Sequence, residues 1–151
     1  MNDGINSMVS PIQSIMLKHP REAFVSQAYL EDVWQNFGYT SCPDFERALV
    51  EYACFESILQ TFIPEIIYQT DKEPAGPDAI YTHDAVKMAS GGAILMRMGK
   101  VRRSHEPALA RDFLKGRGIR ILGEIEPPGR MEGGDIVWLG NRTVALGLGF
   151  R

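Results

Sequence analysis

Hydrophobic residues recur every three or four positions in DFERALVEYACFESILQTF, residues 44–62, and this period predicts an amphipathic helix. The recurring apolar positions are Phe45, Ala48, Leu49, Tyr52, Phe55, Leu59 and Phe62. Ser41, ahead of Pro43 and Asp44, is a start signal for the helix, and Pro64 is a stop signal. The pattern therefore predicts one helix with a single apolar face.

Shorter stretches alternate between apolar and polar residues, which predicts strands. The predicted strands cover residues 14–20, 65–70, 78–88, 93–99 and 119–126, and residues 130–151 predict a closing hairpin with its turn at Gly140 and Asn141. A second helix is predicted over residues 104–118, capped by Ser104 and ended by Gly116 and Gly118. The order is strand, helix, strand, two hairpin strands, helix, strand and hairpin, which is typical of an α/β protein.

Composition and charge narrow the classes of partner. The chain has 151 residues, of which 44% are hydrophobic and 23% charged, and its net charge is -3. These values favour a single ordinary globular domain that binds small molecules or proteins rather than nucleic acid or acidic membranes. The basic stretch at residues 97–105 has no interleaved aromatic residue, so we expect a solvated loop that lends one arginine to a carboxylate.

The start of the chain and its cysteines suggest an ordinary cytoplasmic protein. MNDGINSMVSPIQ has neither a signal-peptide nor a transit-peptide pattern, and no apolar run reaches the roughly 20 residues that span a bilayer. Cys42 and Cys54 are too few for a disulfide framework or a paired-cysteine zinc site. We expect Cys54 to be a buried or half-buried small residue, because a helix interior does not activate a thiol.

Four carboxylates lie beside glycine or proline turns at the ends of predicted strands: Asp78, Asp84, Glu132 and Asp135. Carboxylates in such places are suited to meet a ligand, although turn residues of this kind also hydrogen-bond their own backbone, and both readings stay open. A straight strand would separate Asp78 from Asp84 by about 20 Å, so they reach one small ligand only if the chain bends.

Converging carboxylates suit a guanidinium, which is planar, always charged and presents paired N–H donors. A divalent metal is the weaker reading, because no close cluster of histidine and carboxylate residues is present in the sequence. We therefore expect a cationic ligand and no metal. No GxGxxG follows a strand and no GxxxxGK[ST] occurs, so a nucleotide-binding sheet is not predicted.

Several blocks resemble, in order and spacing, the guanidine-modifying pentein superfamily. They are PDAIYTHDAVKM (77–88), GGAILMRMGKVRRSHE (91–106), GRMEGGDIVWLG (129–140) and VALGLGFR (144–151). That group includes arginine deiminases, amidinotransferases and dimethylarginine dimethylaminohydrolases. Residues 23–59 are most similar to the dimethylarginine dimethylaminohydrolase branch, so the resemblance covers nearly the whole chain.

The resemblance implies roles for five residues. Asp84 would bind two guanidinium nitrogens, and Asp78 would support Asp84. Glu132 would also bind the guanidinium and would assist proton transfer. Arg103 and Arg151 would bind the α-carboxylate of the substrate. The implied substrate is arginine or a methylated arginine, and the implied reaction needs no cofactor.

The resemblance also implies an α/β propeller of five ββαβ-like modules. Residues 1–151 would be the N-terminal portion of this single domain, with about two and a half modules. The family reaction is C–N hydrolysis through a thiouronium formed on a cysteine, with a histidine as acid and base. In the family, this cysteine and this histidine lie in regions downstream of the GxGxR block. We therefore expect the chain to be inactive alone, and its expected partners are further copies in a homo-oligomer or a complementing C-terminal half.

Two other readings of the function stay open at this stage. An amidinotransferase would pass the amidino group to an amine instead of water. A non-catalytic pentein-like module, such as the ribosome anti-association factors that share the propeller shape, would need no guanidinium-binding carboxylates. A truncated chain without independent function is a further alternative.

Overall fold

The computed structural model describes residues 6–149. They form two compact units: a first unit of residues 11–81, and a second unit of residues 82–149 together with 6–10. Both units combine helices with strands, so the predicted α/β class is confirmed. Assignment of residues 1–151 to one domain stays a prediction. None of the helices in the described part of the chain is long and apolar enough to cross a bilayer.

The first unit is built on a parallel pair of strands joined by helices. The strands are β1 (Ser14–Leu17) and β2 (Glu65–Tyr68), and the helices between them are α1 (Pro20–Ala23), α2 (Gln27–Val33) and α3 (Phe45–Gln60). Residue Ser14 pairs with Glu65 and Leu17 with Tyr68. Parallel strands need a long crossover connection, and the helical segment supplies it.

Helix α3 confirms the strongest periodicity in the sequence. Its cap is Asp44 rather than Ser41: the Asp44 carboxylate accepts a hydrogen bond of 2.8 Å from the backbone N–H of Arg47. This bond satisfies one of the amides left unpaired at a helix start. The predicted start signal, Ser41, was therefore three residues too early, and Asp44 is the residue that caps the helix.

The apolar face of α3 is buried only near its beginning. Phe45 packs into a core with Ala23, Phe24 and Leu30, which come from the α1 and α2 region. Further along α3, Phe55 is exposed, and Phe62 beyond its end is exposed as well. Cys54 is also exposed, so the expectation that it is buried or half-buried was wrong. The reason is that Cys54 is not one of the recurring apolar positions and lies on the opposite side of α3 from them.

The second unit contains a ββαβ arrangement followed by a hairpin. Its elements are α4 (Thr82–Ala85), β3 (Val86–Ala89), β4 (Gly92–Leu95), α5 (Glu106–Gly116), β5 (Ile121–Glu124), β6 (Ile136–Gly140) and β7 (Thr143–Leu146). Strand β4 pairs antiparallel with β3 and parallel with β5, and α5 connects β4 to β5. This is the module that the pentein resemblance implies. The number of modules in a complete propeller stays a prediction.

Two local expectations in this region were wrong. The stretch 78–88 is not a continuous strand: a 3₁₀ turn covers Pro77–Ile80, and α4 follows before β3 begins. Pro77 favours such a turn because its fixed φ suits the first helical position. Ser104 does not cap α5, which begins at Glu106 after His105 without a side-chain cap.

Candidate functional site

Two glycines bring the EGGD motif against the YTHD motif in the second unit. A Cβ atom on Gly133 would lie 1.8 Å from the backbone oxygen of His83, far inside the 3.0 Å that real Cβ contacts keep. A Cβ atom on Gly134 would lie 3.4 Å from Oδ1 of Asp84. The missing side chains therefore allow the turn that follows Glu132 to lie directly beside Asp84.

Arg103 joins α4 to the start of α5 through two carboxylates. Its Nε and Nη2 atoms donate to Oε1 and Oε2 of Glu106, each at 2.8 Å, and its Nη1 donates to Oδ2 of Asp84 at 2.9 Å. Arg103 and Glu106 are buried, each only 4% exposed. The paired bonds to Glu106 fix the plane of the guanidinium, and that plane in turn fixes Asp84.

The electrostatics of Arg103 follow from these contacts. Burial alone would lower the pKa of its guanidinium, but the hydrogen bonds and charge of Glu106, and then those of Asp84, raise the pKa above its ordinary value. The cation is therefore permanent and keeps Oδ2 of Asp84 engaged.

The second oxygen of Asp84 is available to a ligand. Among the described residues, Oδ1 accepts no hydrogen bond, and the side chain is 24% exposed. A carboxylate oxygen can accept further N–H bonds while its neighbour is bound to an arginine.

Glu132 is buried and held by the backbone. Its Oε1 accepts a hydrogen bond of 3.0 Å from the N–H of Gly99, and its carboxylate also accepts from the N–H of Asp135. In return, Oδ2 of Asp135 accepts from the N–H of Glu132 at 2.9 Å. Asp135 thus stabilises the turn, and Glu132 is fixed in one orientation.

Lys87 lies beneath the same turn. It is 3% exposed, and its Nζ donates to the backbone oxygens of Ile136 at 2.8 Å and Gly133 at 3.5 Å. Its Nζ also lies 3.2 Å from Nε2 of His83. Burial lowers the pKa of the Lys87 ammonium.

The structure brings together three of the five residues that the resemblance singled out. Asp84, Glu132 and Arg103 all lie in the second unit. Asp78 is buried in the 3₁₀ turn at the end of the first unit. Arg151 lies outside the described residues. The substrate contacts of all five stay predictions.

Two residues of the site were missed from the sequence. Glu106 follows Arg103 by three positions at a helix start, a spacing that could have indicated an ion pair. Lys87 lies in the short strand VKMA, where a charged residue between two apolar residues could have indicated a special role. The expectation that one arginine of residues 97–105 pairs with a carboxylate is confirmed by Arg103.

A family comparison decides where the chain belongs. The family model described as arginine deiminase matches residues 73–151, which is just over half of the chain and includes the whole site described above. The chain belongs to the arginine deiminase family. Within residues 6–149, this family member has no group of three or more histidine, cysteine or acidic residues that could hold a metal ion.

The family model, together with solved structures similar to this arginine deiminase family protein, confirms the pentein resemblance. The chain is 32% identical over 77 residues to an uncharacterized protein of Aeropyrum pernix, a match that covers 50% of this chain and 28% of that protein. A dimethylarginine dimethylaminohydrolase from Pseudomonas aeruginosa, complexed with citrulline, is 25% identical with a TM-score of 0.63, over 87% of this chain and 48% of that one.

A solved structure at lower identity shows the same fold. The N-terminal domain of ArgZ, described as an arginine dihydrolase from Cyanobacteria, has a TM-score of 0.71 at 18% identity, over 92% of this chain and 50% of that one. The chain thus spans about half the length of the dimethylarginine dimethylaminohydrolase and ArgZ chains that it matches.

Proposed function

We propose that this protein binds the guanidinium group of arginine or a methylated arginine through Asp84 and Glu132, in a reaction that hydrolyses a guanidino C–N bond. The observation that carries the proposal is the state of Asp84. Its Oδ2 is fixed by Arg103, while its partly exposed Oδ1 accepts no hydrogen bond among the described residues. A guanidinium N–H pair is a suitable donor for such an oxygen.

The named relatives support this choice of ligand. The dimethylarginine dimethylaminohydrolases form adducts or complexes with S-methyl-L-thiocitrulline and citrulline, and a variant of AgrE is described in complex with L-arginine. All these ligands are arginine-like. The sequence resemblance to the dimethylarginine dimethylaminohydrolase branch favours a methylated arginine as the substrate.

The two arginines expected at the substrate carboxylate take different parts in the proposal. Arg103 already donates three hydrogen bonds to Glu106 and Asp84, so we assign it the positioning of Asp84. Arg151 keeps the proposed contact with the substrate α-carboxylate. Asp78 keeps its proposed supporting role.

The proposed chemistry needs a thiolate. It attacks the guanidinium carbon, the amine leaves with a proton, and water then hydrolyses the thiouronium to give citrulline and restore the thiolate. Neither Cys42 nor Cys54 matches the nucleophile that the resemblance implies. We therefore propose that the thiolate comes from a region equivalent to the C-terminal half of a family relative, and in the experiments below this half is supplied as a polypeptide called here the completing polypeptide.

Calorimetry tests the binding step. Arginine, dimethylarginine and guanidine are titrated into the protein mixed with the completing polypeptide. Asp84→Asn should weaken binding about tenfold to a hundredfold, the scale of one hydrogen bond to a charged group. The matched control, Asp112→Asn, removes an exposed carboxylate on α5 and should leave affinity unchanged. Absence of binding by the folded, completed protein would contradict the proposal and favour a non-catalytic module.

Citrulline release tests the catalytic step. The completed protein should form citrulline, whereas the chain without the completing polypeptide should form none. Citrulline made by the chain alone would overturn the proposed source of the thiolate. Transfer of the amidino group to an added amine, with no citrulline, would indicate an amidinotransferase instead.

A further inference from the structure

Lys87 is a buried cation whose position needs an explanation. Its polar contacts in the described part of the chain are two backbone carbonyls and one imidazole, with no carboxylate among them. A buried ammonium without an ionic partner is costly, and the lowered pKa of Lys87 reflects that cost. An apolar residue would suit this strand position better if packing were its only task.

The two carbonyls belong to the turn that carries Glu132. Gly133 opens the 3₁₀ turn that follows Glu132, and Ile136 begins β6 directly after it. Lys87 therefore holds both ends of this turn from β3. The side chain of Glu132 is held separately by the N–H of Gly99.

The imidazole belongs to the residue before Asp84. When Lys87 is charged, its ammonium can only donate, so Nε2 of His83 accepts and the ring is neutral with its proton on Nδ1. Desolvation and the charge of Lys87 lower the pKa of His83, and they outweigh the opposite effects of the Gly133 carbonyl and Asp84. Protonated His83 would lose the acceptor and place a second cation beside Lys87.

We propose that Lys87 is a positioning residue that holds Glu132 beside Asp84. Protonation of His83 releases this hold, so the protein binds guanidino compounds more weakly in acid. The ligand part rests on the proposed function of the two carboxylates, whereas the link between Lys87 and the turn stands independently of it.

Other charged groups lie on the elements around Lys87 and His83. They are Asp84 on α4, Glu132 and Asp135 at the turn after Glu132, Arg103 in the 3₁₀ turn ahead of α5, and Glu106 at the start of α5. Of these, Asp84 raises the pKa of His83. A variant at His83 is therefore needed to separate its titration from that of the carboxylates.

Hydrogen exchange of the full chain without ligand tests the hold itself. In the wild type, the amides of residues 132–136 should lose about tenfold protection between about pH 7.5 and about pH 5.5, after correction for intrinsic rates. His83→Gln can accept from Lys87 but not titrate, so its protection should be independent of pH. In Lys87→Met, the same amides should be poorly protected at both pH values. Lys115→Met, an equivalent change at an exposed site on α5, should behave as the wild type.

Two results would overturn the proposal. One is unchanged protection in Lys87→Met at the higher pH. The other is a loss of protection in acid that persists in His83→Gln, which decides the question even if Lys87→Met does not fold.

Calorimetry of the completed protein then tests the effect on the ligand. The dissociation constant for arginine should rise about tenfold over the same pH range in the wild type and stay constant in His83→Gln. An equal change of the dissociation constant with pH in the wild type and in His83→Gln would contradict the proposed link between His83 protonation and ligand binding. Failure of the wild type to bind at any pH would count against the proposed function, while the exchange experiment would still decide the role of Lys87.

Discussion

At the residue scale, the Arg103–Glu106 pair shows how the orientation of Asp84 is fixed. Both side chains are buried, and two parallel hydrogen bonds of 2.8 Å join them. A buried pair of this kind adds little net stability compared with apolar residues, but removing Glu106 takes the bidentate partner away from a buried guanidinium. The pair therefore ties the orientation of Asp84 to the integrity of the fold.

Glu106→Ala should lower the free energy of unfolding by about 1.5–3 kcal/mol, because the Arg103 guanidinium loses its bidentate partner and keeps its hydrogen bond to Asp84. Urea unfolding measures this, with Trp138 as the fluorescent reporter of the second unit in a Trp34→Phe background. Asp112→Ala breaks the exposed pair with Arg111 and should cost less than about 1 kcal/mol. Equal losses in the two variants would show that the buried pair has no special role.

At the scale of elements, the close contact between Gly133 and α4 places the two motifs together. Gly133→Ala should destabilise the second unit by about 1–3 kcal/mol, since the new methyl group would overlap the His83 carbonyl and push the turn away. It should also weaken binding of arginine by the completed protein. Unfolding curves and calorimetry measure the two effects.

A matched glycine provides the control for that prediction. Gly116 ends α5, and a Cβ atom there would have no neighbour within 4 Å. Gly116→Ala should therefore cause no loss of stability or affinity, because alanine favours the helix. A loss as large as that of Gly133→Ala would mean that the close contact is not the cause.

Helix α3 depends on its cap in the same local way. Asp44→Ala should reduce the stability of the first unit by about 1 kcal/mol, since the Arg47 amide would lose its acceptor. Trp34 fluorescence in a Trp138→Phe background follows this unit during urea unfolding. Ser57→Ala, an exposed change within α3, should leave the midpoint nearly unchanged or raise it slightly.

At the scale of the whole molecule, His83 makes stability depend on pH. Its pKa in the folded protein is lower than in the unfolded chain, so the unfolded state binds more protons in the window between the two values. The free energy of unfolding should therefore rise with pH through that window, which ends near the ordinary histidine pKa of about 6.5. Urea unfolding of the second unit at several pH values should show this rise in the wild type and a smaller one in His83→Gln. Identical curves would contradict it.

The sequence by itself determined the α/β class, the long helix α3, the ββαβ order and the family. These features depend on hydrophobic periodicity, turn residues and motif spacing, which act over short distances along the chain. Asp84 and Glu132 also stand out in the sequence as candidate site residues, because carboxylates beside glycine or proline turns are recognisable from residue order alone.

The tertiary structure decided which partners those residues have. Neither the burial of Lys87 under a turn 46 positions away nor the contact of Gly133 with His83 can be read from local patterns. The exposure of Phe55 is a similar case, because it depends on how much of the apolar face of α3 the neighbouring elements cover. Hydrogen bonds and burial between distant segments exist only after the chain has folded. These contacts show that one oxygen of Asp84 is fixed by Arg103 and that the other is available to a ligand.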